Sequence, residues 1–269
     1  MEMTLFILAA LLYMGCAFLP AGRATTIAIG TALAWIFHGA ALASDVVAPG
    51  SLRLGFAVVL SATLWVSVGA YWLENRNFSL DGLRVLMLPV AAVATLLPLV
   101  FPGSVVLMED KSPLFSWHVA IAILAYSTLT VAAFHAVLMA LQESTLHARS
   151  SQPATGWVSR AVERLPALLT MEKLLFRLIA FGFVLLTLTV GSGILFSEQI
   201  FGKPLKWDHK TAFTLLSWVL FGILLVGRHW RGWRGKTALS FTLTGFATLF
   251  LAYIGSRFVL EVVLHRGLA

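Results

Sequence analysis

The chain has a single cysteine, Cys16, and that scarcity excludes an internal disulfide, a CxxC redox pair and any thiolate metal cluster within one chain. Charge is scarce as well, at 12% of residues, and no basic stripe lies along a soluble face. The net charge of +7, which in a soluble protein would suggest nucleic acid, is better explained by membrane topology, so no nucleic-acid partner is expected. The first apolar run, residues 3–20, lacks a basic leader and passes directly into another apolar run. It is therefore expected to remain as a helix rather than to be cleaved as a signal peptide. Neither an HxxxH nor an HxxE pair occurs, which removes the usual way of taking two zinc ligands from one helical turn. No repeat marks two inverted transporter halves.

What the chain does have is apolar length. Of its 269 residues 59% are hydrophobic, and the mean hydropathy of +0.90 lies outside the soluble range. Apolar runs long enough to cross a hydrocarbon core of about 30 Å are separated by short Gly, Pro and charged breakers. The reading is all-α: one integral membrane domain over residues 1–269, a polytopic bundle of eight transmembrane helices near 3–20, 25–47, 53–73, 83–101, 114–142, 173–197, 209–228 and 237–264.

Twelve of the nineteen Lys and Arg residues fall in the breakers of one side, among them Arg23, Arg76, Arg84, Lys173, Arg228 and Lys236. Six fall on the other side, and Arg257 lies inside the last helix. The richer side is taken as cytoplasmic, which sets both termini on the periplasmic side. The one long connection, residues 144–172, carries Trp157, Val158, Ala161, Val162 and Leu165 at helical spacing, with Arg160, Glu163 and Arg164 on another face. It is expected to be a cytoplasmic loop with an amphipathic interfacial helix.

Polar side chains at membrane depth are the place to look for chemistry, because each is costly when left unpaired. Here they are mostly histidines. His118 lies about one turn inside the outer mouth of the fifth helix, His265 ends the last helix, and His209 opens the seventh, all on the outer side. His38 lies deeper, about 12 Å from the outer end of the second helix at ~1.5 Å per residue. His135 sits in the inner half of the fifth, and His147 and His229 fall in cytoplasmic loops. Neutral imidazole is a good axial ligand for haem iron, and widely spaced single histidines suit haem better than zinc. The alternative that each ring only hydrogen-bonds a neighbour stays open, and Trp35, Trp65, Trp72, Trp117, Trp207 and Trp218 read equally as interfacial anchors or packing.

Three stretches resemble the cytochrome c assembly family, the CcsA and HemX-like haem-handling membrane proteins. WHVAIAILAYSTL is similar to its helix that opens with an outer histidine and runs to a tyrosine, here His118 and Tyr126. GSGILFSEQIFGKPLKWDHKTAFTLLSWVLFGILL resembles its Gly-rich helix, outer loop and Trp-Asp-x-Lys segment, here Trp207, Asp208 and Lys210. GWRGKTALSFTLTGFATLFLAYIGSRFVLEVVLH resembles its final inner turn and last helix, closing with a second outer histidine, here His265. The resemblance implies a multi-pass protein of the bacterial inner membrane that binds haem between His118 and His265, with Trp207 and Asp208 in the haem-facing loop. It also implies apocytochrome c or another membrane assembly factor as partner besides the lipid bilayer.

Several departures bear on activity. The loop has only Trp207 where the family's haem-ligating members carry several tryptophans, and His209 stands where a proline is usual. These favour haem handling over haem lyase catalysis by this chain alone. His38 with His118 is the alternative coordination. Arg257 and Glu261 lie one turn apart and are expected to neutralise each other, with a haem propionate as a second partner for Arg257. The competing function is a non-catalytic subunit that regulates another membrane protein, its histidines structural.

Overall fold

The computed structural model describes residues 2–48, 50–76, 80–109, 111–148, 162, 165–198 and 207–264. It is a polytopic membrane bundle with eight long apolar helices among the described residues: α1 Glu2–Phe18, α2 Ala24–Val46, α3 Phe56–Glu74, α4 Asp81–Val100, α5 Pro113–Ala148, α6 Leu168–Leu195, α7 His209–Arg231 and α8 Gly235–Val263. The last seven are long and apolar enough to cross a membrane, and α1 is a shorter apolar helix. The helices fall within a few residues of the predicted spans because Gly, Pro and charge end apolar runs where chain leaves lipid. The expected amphipathic helix falls largely on residues 149–164, of which only Val162 is described. Val162 and Leu165 are both buried, and Leu165 lies over Gly82 at the start of α4.

Residues 51–54, at the expected start of the third span, instead form a strand. β1 Val47–Ala48, β2 Ser51–Leu54 and β3 Ser104–Leu107 make an antiparallel sheet in that order, with Leu52 opposite both Val47 and Val106. It lies at the ends of α2 and α4 and the start of α3, so it closes the end of the bundle that also carries His118. Gly103 leads into β3 at φ 75°, and a Cβ there would stand 2.6 Å from the Leu54 carbonyl oxygen. Glycine alone tolerates both the backbone angle and the contact.

The opposite, basic end is tied by a buried cation, Arg84, and a buried anion, Glu172. Arg84, only 4% exposed, reaches from the first turn of α4 to carbonyls at the end of α1, those of Cys16 and Ala17 (3.1 Å), and to that of Leu19 just past it (3.0 Å). A helix ends with carbonyls that have no intrahelical partner, and in an apolar interior a guanidinium with its several donors answers them. Glu172 of α6 takes Arg228 at 2.7 Å and Arg234 at 3.3 Å, which pins the α7–α8 turn to α6.

Between these ends, α2 and α3 are locked by a reciprocal tryptophan pair. Trp35 and Trp65 stack with centroids 4.8 Å apart and planes 9° from parallel. Each indole N–H donates to the other residue's carbonyl at 2.9 Å. One turn beyond each tryptophan stands a glycine, Gly39 and Gly69, where a Cβ would meet the partner indole at 2.8 and 3.0 Å. The sequence shows this as Trp-x-x-x-Gly twice, WIFHG and WVSVG. These tryptophans, open to an interfacial reading, are interior packing.

Candidate functional site at the histidine end

The bundle treats its membrane-depth histidines in different ways. His38 is fully buried, with Ser61 Oγ of α3 2.8 Å from Nε2 and Thr95 Oγ1 of α4 and Tyr13 Oη of α1 at 3.3 and 3.4 Å from Nδ1. One imidazole thus joins four helices, and hydroxyl groups face both nitrogens. His135, also fully buried, has Nδ1 2.9 Å from the Val131 carbonyl of its own helix, so Nδ1–H donates. Its Nε2 lies 3.6 Å from Glu74 Oε2.

His118 is different. It is half-buried near the start of α5, with Nδ1 2.8 Å from Ser192 Oγ of α6. The Ser192 hydroxyl donates to the Thr189 carbonyl at 3.1 Å, so its oxygen accepts from Nδ1–H. That pattern assigns the tautomer with the lone pair on Nε2, the form in which imidazole ligates metal. A hydroxyl or carbonyl holding the other ring nitrogen is the usual second partner of a ligating histidine. Ser192 lies between Gly191 and Gly193, so the facing stretch of α6 presents almost no side chain. A Cβ on Gly193 would stand 3.5 Å from His118 Cε1, and one on Gly191 would meet nothing within 4 Å.

The other predicted site residues cluster at this same end but on α7 and α8. Asp208 is the N-cap of α7, its carboxylate accepting from the Thr211 amide at 2.9 Å. Burial alone would raise its carboxyl, but the Thr211 amide and hydroxyl, with Lys210 and His209 nearby, hold it below the usual carboxylate range. His209 is exposed as the first residue of α7, and Trp207, 78% exposed, precedes the cap. Arg257 lies 4.0 Å from Glu261 and over the Tyr253 ring at 5.9 Å. Glu261 also accepts from the Phe56 amide at 3.4 Å, so its charge faces the amino end of α3, where a helix favours an anion. Lys210 is within electrostatic reach of Arg257, Asp208 and Glu261, which joins the start of α7 to the end of α8. His265 lies outside the described residues. Among the described residues, no three His, Cys, Asp or Glu side chains converge as a metal cluster.

Sequence reasoning missed Ser192, although its flanking glycines stood inside the GSGILF segment already singled out. It also missed the π-helical turns of α8 at Leu251–Gly255 and Val259–Val263, which carry no compositional mark. The Tyr126 hydroxyl donates to the Leu249 carbonyl at 2.8 Å just before the first of them, tying α5 to α8.

The fold and this end of it define a multi-pass helical membrane protein with a half-buried, hydroxyl-held imidazole at the end of the bundle that carries a small sheet. The chain belongs to the family described as Cytochrome C assembly protein, whose profile matches residues 3–264. It is 25% identical over 246 residues to the Escherichia coli K12 "Inner membrane protein YpjD", covering 87% of this chain and 86% of that protein. It is 31% identical over 216 residues to a 28.8 kDa protein in a nifR3-like 5′ region of Azospirillum brasilense, covering 76% of each. To a "Cytochrome c biogenesis protein CcsA" of Prochlorococcus marinus it is 28% identical over 171 residues, 58% of this chain and 54% of that protein. No solved structure matches it.

Proposed function

We propose that the chain is a haem-handling protein of the bacterial inner membrane, acting in cytochrome c biogenesis and holding haem axially between His118 and His265 on the periplasmic side. The observation that carries this reading is the hydrogen bond from His118 Nδ1 to Ser192, which fixes the ring and points the tautomer toward ligation through Nε2. His118 suits such a group: its half-buried imidazole is oriented by Ser192 of α6, and beside it Gly193 adds no side chain, a Cβ there standing 3.5 Å from His118 Cε1. Bound haem supplies the iron porphyrin to be carried or attached. The chain's own residues would orient the His118 ring through Ser192, with Asp208 and Trp207 at the same end of the bundle. Membership in the family supports the role, and the names of the CcsA relatives support the pathway.

The alternative His38 with His118 pair draws less support, since a bond from His38 to iron would displace Ser61, or Tyr13 and Thr95, from a closed hydroxyl cage. Acceptor cysteines would come from an apocytochrome c, and another membrane assembly factor is the second class of partner. The test is the visible spectrum of protein purified in mild detergent from cells supplied with haem. A Soret band lost in both His118→Ala and His265→Ala supports the reading. No band, or a band untouched by losing both histidines, rejects it, and a stoichiometric haem-free complex with a non-cytochrome protein favours the regulatory subunit instead.

A further inference from the structure

A groove of about 470 Å³ opens sideways on the outer surface of α6 and α7, at the basic end and remote from His38 and His118. Among the described residues, no histidine, cysteine or methionine lines it. Its floor is Gly222, where a Cβ would stand 3.5 Å from the Phe183 ring. One wall is ordered: Trp218 stacks on Phe183 with centroids 5.8 Å apart, and its indole N–H donates to Thr187 Oγ1 at 2.9 Å. The open side follows Ile223 and Val226 to Trp230, which is 79% exposed and sits where interfacial tryptophans sit.

The mouth of this apolar trench carries unneutralised positive charge. Arg228 and Arg234 are both spent on Glu172. Arg231, which lines the groove, and Lys236, which follows the lining Trp233 in the chain, have no carboxylate partner among the described residues. The groove's size lies within the ~300–1,000 Å³ range of small-molecule sites, but its shape, apolar along the membrane and cationic at the interface, fits one ligand class in particular.

We propose that the groove holds a membrane phospholipid with an anionic headgroup, one acyl chain lying over Gly222 and the phosphate meeting Arg231 beside Trp230. A free phosphate would leave the apolar length unused, and a zwitterionic lipid would leave the cation excess unanswered. The ligand is distinct from haem, and the inference stands whether or not His118 binds iron.

Native mass spectrometry of the full chain in mild detergent, supplied in turn with phosphatidylglycerol and phosphatidylethanolamine, tests it. Phosphatidylglycerol is expected to be retained about tenfold better than phosphatidylethanolamine, the effect of one charge-assisted contact. Arg231→Gln, an exposed polar exchange, should bring the two lipids level, and Gly222→Leu should weaken both by filling the floor. Gly222→Ala, whose added methyl meets Phe183 at an ordinary distance, is the folded control and should give an intermediate loss. Equal retention of the two lipids by the unaltered protein overturns the proposal. So do retention unchanged in Arg231→Gln and Gly222→Ala together, and a lipid-free dimer that forms through this face.

Discussion

His38 and His118 are imidazoles on neighbouring stretches of one bundle, yet the surroundings make them different groups. His38 lies among α1 to α4, where hydroxyls from three other helices answer both nitrogens. His118 lies between α5 and α6, with one nitrogen held by a serine and glycines on either side of that serine. Burial of the apolar windows divides the bundle elsewhere: 61% is interior in α5, 56% in α3 and in α4 and 33% in α2, against 22% for each of α6, α7 and α8, so His118 sits where the most buried helix meets a sparsely buried one. A buried polar group stabilises a membrane bundle when every partner is supplied. The crowded half therefore uses histidine as a joint, while α6, α7 and α8 leave more of their surface outside the interior.

Substitutions at the two rings should separate these roles. His118→Ala is expected to reduce haem retention more than about 100-fold while leaving the melting temperature in detergent near that of the unaltered protein, since the ring is half-buried. Absorbance at the Soret band and thermal unfolding monitored by circular dichroism give the two readouts. The tryptophan lock belongs to the crowded half, and Gly39→Leu should drive a side chain into the Trp65 indole. The expected loss is about 2 kcal/mol of stability with the haem spectrum retained. His38→Leu should cost about 1–2 kcal/mol by orphaning the hydroxyls around it, again without spectral change. A lost Soret band in His38→Leu at an unchanged melting temperature would exchange the roles assigned to the two rings.

Ser192→Ala tests the same contrast more finely. The His118 ring remains but loses the acceptor that sets its tautomer, so haem affinity is expected to fall about tenfold, at the low end for a lost outer-shell partner. The spectrum should broaden as ring orientations multiply, and Ser192→Thr should restore it by returning the hydroxyl. A variant as tight and sharp as the unaltered protein would assign Ser192 to packing.

How much of this the sequence carried depends on the length over which each signal is written. A transmembrane helix is set by about 20 apolar residues, so the spans were legible to within a few residues. The sheet was not, because strands of two to four residues such as Val47–Ala48 and Ser51–Leu54 are shorter than any periodicity can register, and Leu52 and Leu54 read as the start of an apolar run. Single residues at one depth on different helices are harder still. That Trp35 meets Trp65, or that His118 meets Ser192, depends on helix rotation, which apolar runs facing lipid on many sides leave open. Asp208 was legible as a site residue for its place in a Trp-Asp-x-Lys segment, whereas its role as a helix cap is local and follows from the Thr211 amide three residues on.

The mildest expected effect lies at that cap, on the sparsely packed side of the comparison. Asp208→Ala removes the acceptor for the Thr211 amide and should cost about 1 kcal/mol, while Asp208→Asn keeps a capping oxygen and removes only charge. Because the folded environment lowers the Asp208 carboxyl below its ordinary value, its ionised form stabilises the fold at neutral pH, and that contribution is lost as pH falls through the folded value. The difference in melting temperature between the unaltered protein and Asp208→Asn should therefore be constant above about pH 5 and close below about pH 4. The difference should be small, since the carboxylate is exposed and solvent screens it. If Asp208→Asn instead changed the Soret band while its melting temperature followed the unaltered protein at every pH, the carboxylate would act on haem and not on the helix it caps.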